Sequence, residues 1–354
     1  MSDASLDIAF EPSQHSPLPA DLTSAEFSSV VSDHMLTATY SAGRWQPMTI
    51  KPYGALSLPP AISALQYGIS VFEGLKAHRT PDGDIAIFRP RDNARRLNRS
   101  AARLAMPSFP EDAFVHGLRE LVRLDRAWVP QTGQGALYIR PCLFSTDTCV
   151  RVKPADDYTF LIFTFPYGAY YSTPVDVLVA EQHVRAFPGR TGAVKAAGNY
   201  SSTLVTDLEA RRAGFHTVMW LDGVHRKYIE ECGVMNVFFV IDDEIVTPTL
   251  NGSILPGITR DSALTLLRGM GRSVAERLVS IDELLSAHER GSLRECFGTG
   301  TVANLTQVRR IRYRGHDIVL PPAESQTVGT SLRDRLIAAA TGRIADVHGW
   351  LDKV

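Results

Sequence analysis

At 354 residues, with 44% hydrophobic and 21% charged side chains, the chain has ordinary globular composition and more length than a single core usually holds. Lys and Arg (37) balance Asp and Glu (38), so the basic footprint of a nucleic-acid binder is missing. Cys142, Cys149, Cys232 and Cys296 are too few for a disulfide scaffold and lack zinc-site spacing, which points to a reducing compartment.

The chain opens with acids before any base and without the apolar stretch of a signal peptide. Its longest apolar runs, at 158–166 and 237–241, fall well short of the roughly 20 residues that cross a bilayer. A cytoplasmic protein is therefore expected.

Residues 1–26, rich in Ser, Pro and acids, read as a flexible arm. From 33 to 90, short β-prone runs alternate with turn signals. Apolar residues at helical spacing predict helices over 93–106 and 111–128, followed by strands at 136–144 and 158–165. Residues 166–174 (PYGAYYSTP) read as a linker, which gives domains at 27–165 and 175–354. The second half restarts with a strand at 175–180, a turn at 189–198 and a helix over 200–213 with Tyr200, Leu204 and Leu208 on one face. Strands at 217–221, 226–229, 237–241 and 244–247 and helices at 260–270, 281–290 and 331–342 complete the pattern. Strands and helices without regular βαβ alternation predict a mixed α+β fold.

The phosphate loop GxxxxGK[ST], the zinc helix HExxH and the elbow GxSxG are all absent. A relaxed dinucleotide pattern, Gly298-Thr-Gly-Thr-Val-Ala303, precedes a β-like stretch rather than a helix, so a turn offering N–H groups to another anion is expected there. Lysine is scarce. Lys51, Lys76, Lys153, Lys227 and Lys353 sit beside Pro, charges or the terminus and are expected on the solvated surface. Lys195 differs, because Gly192-Ala-Val-Lys195-Ala-Ala-Gly198 is stripped of bulk on both sides. Small neighbours let a planar group approach the backbone, and an apolar surround favours the free amine needed to attack a carbonyl. A plain lysine at a tight turn before a helix is the competing explanation.

Seven segments occur in order: Phe72-Glu-Gly-Leu-Lys76, Phe88-Arg-Pro90, Leu137-Tyr-Ile-Arg-Pro141, Lys195 through Gly198-Asn-Tyr200, Glu231-x-Gly-x-Met-Asn236, Leu255-Pro-Gly-Ile-Thr-Arg260 and Phe297-Gly-Thr-Gly-Thr301. Together they resemble the branched-chain-amino-acid aminotransferases, class IV (fold type IV) pyridoxal-phosphate enzymes, over about residues 27–350. The resemblance implies two domains joined by a short linker with the active site between them. It also implies pyridoxal 5′-phosphate as cofactor, branched-chain L-amino acids and 2-oxoglutarate or glutamate as substrates, and a homodimer.

Carried over residue by residue, the resemblance makes Lys195 the Schiff-base lysine and general base. Tyr200 would bond the cofactor's phenolic oxygen and Glu231 would face the pyridine nitrogen. Ile258 and Thr259, opening a helix, would offer N–H groups to the phosphate, helped by Thr301 and Arg96. Arg91, Arg95, Arg99 and Arg103 crowd the same stretch as Arg96, and only the resemblance selects among them. Phe27, Phe72 and Tyr138 would form the apolar wall, with Arg140 taking glutamate's side-chain carboxylate. Tyr67 and the N–H groups of Thr301 and Val302 would hold the α-carboxylate. Glu230 matches no role and is expected to be solvated.

Val234 replaces a hydroxyl residue of many relatives, and the cysteine pair of some mitochondrial relatives is missing after Thr301. A D-amino-acid aminotransferase or aminodeoxychorismate lyase would share Lys195 and Glu231, and a non-catalytic protein on the same fold is the rival outside enzymes. A nicotinamide oxidoreductase rests on the glycine pattern alone. No metal is expected.

Overall fold

The computed structural model describes residues 6–11, 17–23, 27–168 and 173–354. They cluster into two units: Met1–Tyr170 with Lys195–Gly198 and Ala338–Val354, and Tyr171–Val194 with Asn199–Ile337.

The first unit is built on one sheet. Its strands run in the order Ile8–Phe10, Met48–Pro52, His34–Ser41, Tyr158–Tyr167, Ala136–Ser145, Leu75–Arg79, Ile85–Phe88 and Leu351–Lys353, with Ser70–Phe72 added to Ala136–Ser145. Side chains alternate across a strand, and the two faces have different chemistry. Leu36, Leu75, Ala77, Leu137, Ile139, Phe160 and Ile162 turn to one core with Leu97, Phe114 and Leu118 from helices Pro90–Arg103 and Glu111–Leu124. The intervening positions, among them Lys76, Tyr138, Arg140, Phe163 and Phe165, belong to the other face.

Helix Pro90–Arg103 starts with proline at its first position, where no backbone hydrogen is needed. Its predecessor Arg89 takes φ +51° and is held by Trp350, whose carbonyl accepts its N–H at 2.7 Å and whose ring lies 5.1 Å from its guanidinium. That anchorage accounts for the Phe88-Arg-Pro90 segment.

In the second unit six strands close on themselves. The circuit runs Val175–Val179, Thr217–Leu221, Ile229–Cys232, Met235–Ile241, Leu293–Gly300, Asn304–Tyr313 and back to Val175–Val179. Closure removes free edges within the ring. Val177, Met219, Val237, Phe239, Cys296 and Val308 share its core with Ile281 and Leu284 of helix Ile281–Glu289, which Ser280 caps through the Glu283 N–H.

Several expectations change. Ile8–Phe10, placed in the arm, pairs in parallel with Met48–Ile50. The C-terminal Ala338–Val354 belongs with the first unit, because Leu351–Lys353 pairs with Ala86–Phe88. Of the linker, 166 and 167 finish a strand and 169–172 lie outside the described residues. The helix expected over 200–213 is interrupted. Gly198–Ser201 and Leu204–Arg212 are separate, since the Thr203 hydroxyl bonds the Tyr200 carbonyl at 2.8 Å and competes with the helical ladder. Leu204 and Leu208 are exposed, and Thr206 and Ala210 are the buried residues. The strand expected at 226–229 begins later, at Ile229. The Asp222 carboxylate accepts from the N–H groups of Val224, His225, Lys227 and Tyr228 and draws them into a loop.

Among the described residues no helix is long and apolar enough to cross a membrane. All four cysteines are free.

Candidate active site

Lys195 is fixed through its backbone. Its N–H donates to the Ser100 hydroxyl at 2.9 Å, its carbonyl accepts from Phe72 N–H at 3.1 Å, and Ala197 N–H donates to Ser70 at 3.0 Å. The segment thus lies along strand Ser70–Phe72 as a short antiparallel bridge. The lysine is half-buried, with Nζ 4.6 Å from the centre of the Phe72 ring.

Each residue of Phe72-Glu-Gly-Leu-Lys76 has a distinct job in the first unit. The Phe72 ring also lies 4.9 Å from the Arg140 guanidinium. Glu73, fully buried, accepts from Arg96 Nε at 2.7 Å and Nη2 at 2.8 Å. A Cβ on Gly74 would stand 2.0 Å from the Tyr138 hydroxyl, which would have to move to admit it. Leu75 enters the core. Lys76, expected on the surface, is 5% exposed, with Nζ 5.2 Å from the Tyr167 ring centre, because its strand is central and both faces are covered. Burial pushes its ammonium down to about 7.

Around it stands an aromatic wall. Phe27 meets Tyr138, Phe165 and Tyr167 edge-on at 5.2, 4.9 and 5.5 Å, and Tyr138 stacks on Phe165 at 5.0 Å. Arg140 reaches the Tyr138 hydroxyl with Nη2 at 3.3 Å. Phe27, Phe72, Tyr138 and Arg140 are therefore brought together, whereas Tyr67 ends helix Ser63–Tyr67 with 42% of its surface exposed. Arg96 is the one inward arginine of its helix, while Arg91, Arg95, Arg99 and Arg103 face solvent. The pairing with Glu73 was not anticipated.

The second unit offers turns. Glu231, 5% exposed, accepts the Leu255 N–H at 2.8 Å and lies 3.2 Å from Arg185 Nη2. Asn236, paired with Glu231 across the strands, donates to the Leu255 carbonyl at 2.9 Å. Its Oδ1 would lie 2.0 Å from a Cβ on Gly257, so a side chain there would have to displace the Asn236 amide. Gly257 caps helix Ile258–Gly269, leaving Ile258 and Thr259 in the first turn, where N–H groups favour an anion. Arg260 instead ties Pro248 and Glu276 together.

Thr301 and Val302 occupy the turn between strands Leu293–Gly300 and Asn304–Tyr313, with Gly298 against Met235. The glycine pattern is a β-hairpin, which rules out the dinucleotide reading. Tyr200, Glu231, Val234 and Asn236 line one recess with Arg185 and Leu255. Glu230 is buried, not solvated. It accepts from Asn251 at 3.0 Å and from the Ser253 hydroxyl, because both faces of strand Ile229–Cys232 are covered.

Sequence reasoning missed Glu73, Lys76, Arg185 and the structural use of Asn236. Glu73 and Asn236 stood in quoted segments and could have been weighed there, whereas nothing local marks Arg185.

A family model for amino-transferase class IV matches residues 70–311, and the chain belongs to that family. It is 43% identical to the branched-chain-amino-acid aminotransferase of Mycobacterium tuberculosis, over 93% of this chain and 92% of that one. Among solved structures, the branched-chain amino acid aminotransferase from Escherichia coli matches with TM-score 0.73 and 29% identity, covering 90% of this chain and 98% of that one. Another branched-chain amino acid aminotransferase, from T.th., is complexed with N-(5′-phosphopyridoxyl)-L-glutamate and matches with TM-score 0.71 and 27% identity over 89% and 97% of the two chains. A second structure of it, 28% identical with the same TM-score and coverage, holds pyridoxamine 5′-phosphate.

Proposed function

We propose that this chain is a pyridoxal-phosphate-dependent branched-chain-amino-acid aminotransferase that moves the amino group of leucine, isoleucine or valine reversibly to 2-oxoglutarate. The observation that carries this reading is the Arg140 guanidinium set against the Phe72 and Tyr138 rings. Apolar rings suit a branched side chain, and one forked donor among them suits glutamate's carboxylate, which is costly to bury unpaired.

The residues present fit the cofactor. A buried carboxylate held by a backbone N–H and an arginine suits a protonated ring nitrogen, and a glycine-capped helix start suits a phosphate. When bound, the cofactor supplies an electron sink for charge developing at the substrate's Cα. Lys195 would hold the cofactor at rest and carry the proton on Nζ during transfer. Glu231 would face the ring nitrogen, and Tyr200 would donate its hydroxyl to the phenolic oxygen. Ile258, Thr259, Thr301 and Arg96 would keep the phosphate in place. Phe27, Phe72 and Tyr138 would exclude water from the side chain, while Tyr67 and the N–H groups of Thr301 and Val302 orient the α-carboxylate.

A homodimer is part of the proposal and is checked by analytical ultracentrifugation. To test the activity, the purified protein is mixed with leucine and 2-oxoglutarate, and borohydride-treated protein is peptide-mapped. Glutamate formation and a pyridoxyl label on Lys195 are expected, and absence of either would reject the proposal.

A further inference from the structure

Lys76 is buried on the aromatic face, directly across the strands from Tyr138. Its Nζ lies 5.2 Å from the Tyr167 ring, and the Tyr138 and Tyr167 rings are 6.0 Å apart. Arg140 follows Tyr138 by two positions on the same strand, with its guanidinium 5.3 Å from the Tyr138 ring. Diagonal neighbours of this kind sit about 7–8 Å apart along the sheet, within reach of long side chains. Gly74, two residues before Lys76, adds no side chain to this face, and the Tyr138 hydroxyl fills the place of its Cβ. Two cations and two phenols thus share a wall that is otherwise built of phenylalanine rings.

The groups facing Lys76 come from three strands and one later segment. His78 on its own strand is pushed down to about 3 by burial, with Lys76 and Arg343 adding to the effect, so it stays neutral. Tyr138 and Arg140 stand on the next strand. Tyr167 lies on the strand beyond, its phenol pushed up by burial and so protonated.

We propose that Lys76 is a specificity residue for the acidic substrate: with Arg140, its ammonium draws the side-chain carboxylate of glutamate or 2-oxoglutarate onto the aromatic face and gives an aliphatic side chain nothing comparable. This rests on the transamination proposed above. Burial places the titration of Lys76 near 7, so preference for the acidic substrate falls as pH rises through that value. The ratio of kcat/KM for glutamate to that for leucine isolates this effect, because groups that act on both substrates alike cancel.

The test uses the holoenzyme and Lys76→Met, with Lys76→Gln as a second variant, assayed with L-glutamate and L-leucine between pH 6 and 8.5. In the unaltered enzyme the glutamate-to-leucine ratio should fall by about ten-fold in all between pH 6 and 8.5, levelling off at the value of the variants. In both variants it should be about ten-fold lower at pH 6.5 and flat with pH. Calorimetry on the unaltered holoenzyme should show glutarate, but not 4-methylpentanoate, binding more weakly as pH rises through 7. Equal losses for both substrates, an unchanged pH slope in the variants, or pH-independent glutarate binding would overturn the assignment of Lys76. Failure of the unaltered protein to transfer amino groups from leucine would instead sink the transaminase reading and this inference with it.

Discussion

The two units prepare their residues in different ways. In the first, the residues proposed to meet the substrate are side chains of one sheet face, Phe72, Lys76, Tyr138 and Arg140, with Phe27 packed against them from outside the strands. In the second, Glu231 and the start of helix Ile258–Gly269 are set by backbone groups at turns, and Asn236 fills the space a side chain on Gly257 would need. A face of side chains can be altered by degrees, one contact at a time. A turn whose neighbour is itself hydrogen-bonded to the backbone, as Asn236 is to Leu255, yields less readily. Specificity should therefore be adjustable in the first unit and nearly fixed in the second.

The largest effect expected is outside that contrast. Lys195→Ala should lower leucine transamination by about 10⁴-fold or more and remove the visible absorbance of the purified protein. The contrast is then sharpened by two glycines of the second unit. Gly257→Ala meets an amide oxygen at 2.0 Å whose group is held by the Leu255 carbonyl, and should cost about 3 kcal/mol in urea unfolding with loss of retained cofactor. Gly298→Ala meets the flexible end of Met235 at 2.7 Å and should cost about 1 kcal/mol. If the two cost the same, the distinction between a fixed and a yielding neighbour fails.

In the first unit, Arg140→Ala should cut kcat/KM for glutamate at least about ten-fold more than for leucine. Equal losses would mean that another group takes the carboxylate. Gly74→Ala should displace the Tyr138 hydroxyl, and adding Tyr138→Phe should restore part of the lost activity, since the oxygen is the nearest atom.

A separate effect is the dependence of stability on pH. His78 is held near 3 in the folded chain against 6.5 for an ordinary histidine, and Lys76 near 7 against 10.5. The unfolded chain therefore binds more protons in both windows, and folding stability falls with acid from 10.5 to 7 and again from 6.5 to 3. Urea midpoints across pH should show both slopes, with Lys76→Met removing the upper one and His78→Gln the lower.

Long periodic elements were legible in the sequence. Strand Thr217–Leu221 was placed to the residue, and helix Glu111–Leu124 was found with its continuation into the turn Arg126–Trp128. Short strands were not, because Val274–Arg277 and Leu351–Lys353 are too brief for periodicity and exist through their partners. The candidate site divides similarly. Phe27, Phe72, Tyr138 and Arg140, chosen by resemblance, do come together, and Arg96 is the arginine that turns inward. Lys76 and Glu230 were misjudged because their neighbours along the chain are ordinary. What buries them is a central strand in one case and a closed ring in the other, and neither is visible in a local window.

The pairing of Leu351–Lys353 with Ala86–Phe88 has a consequence for synthesis. The ribosome makes one partner early and the other only after every residue of the second unit has been added. Until then the Ile85–Phe88 edge, and Arg89 without Trp350, must wait exposed, so the earlier-made unit is the last to be completed.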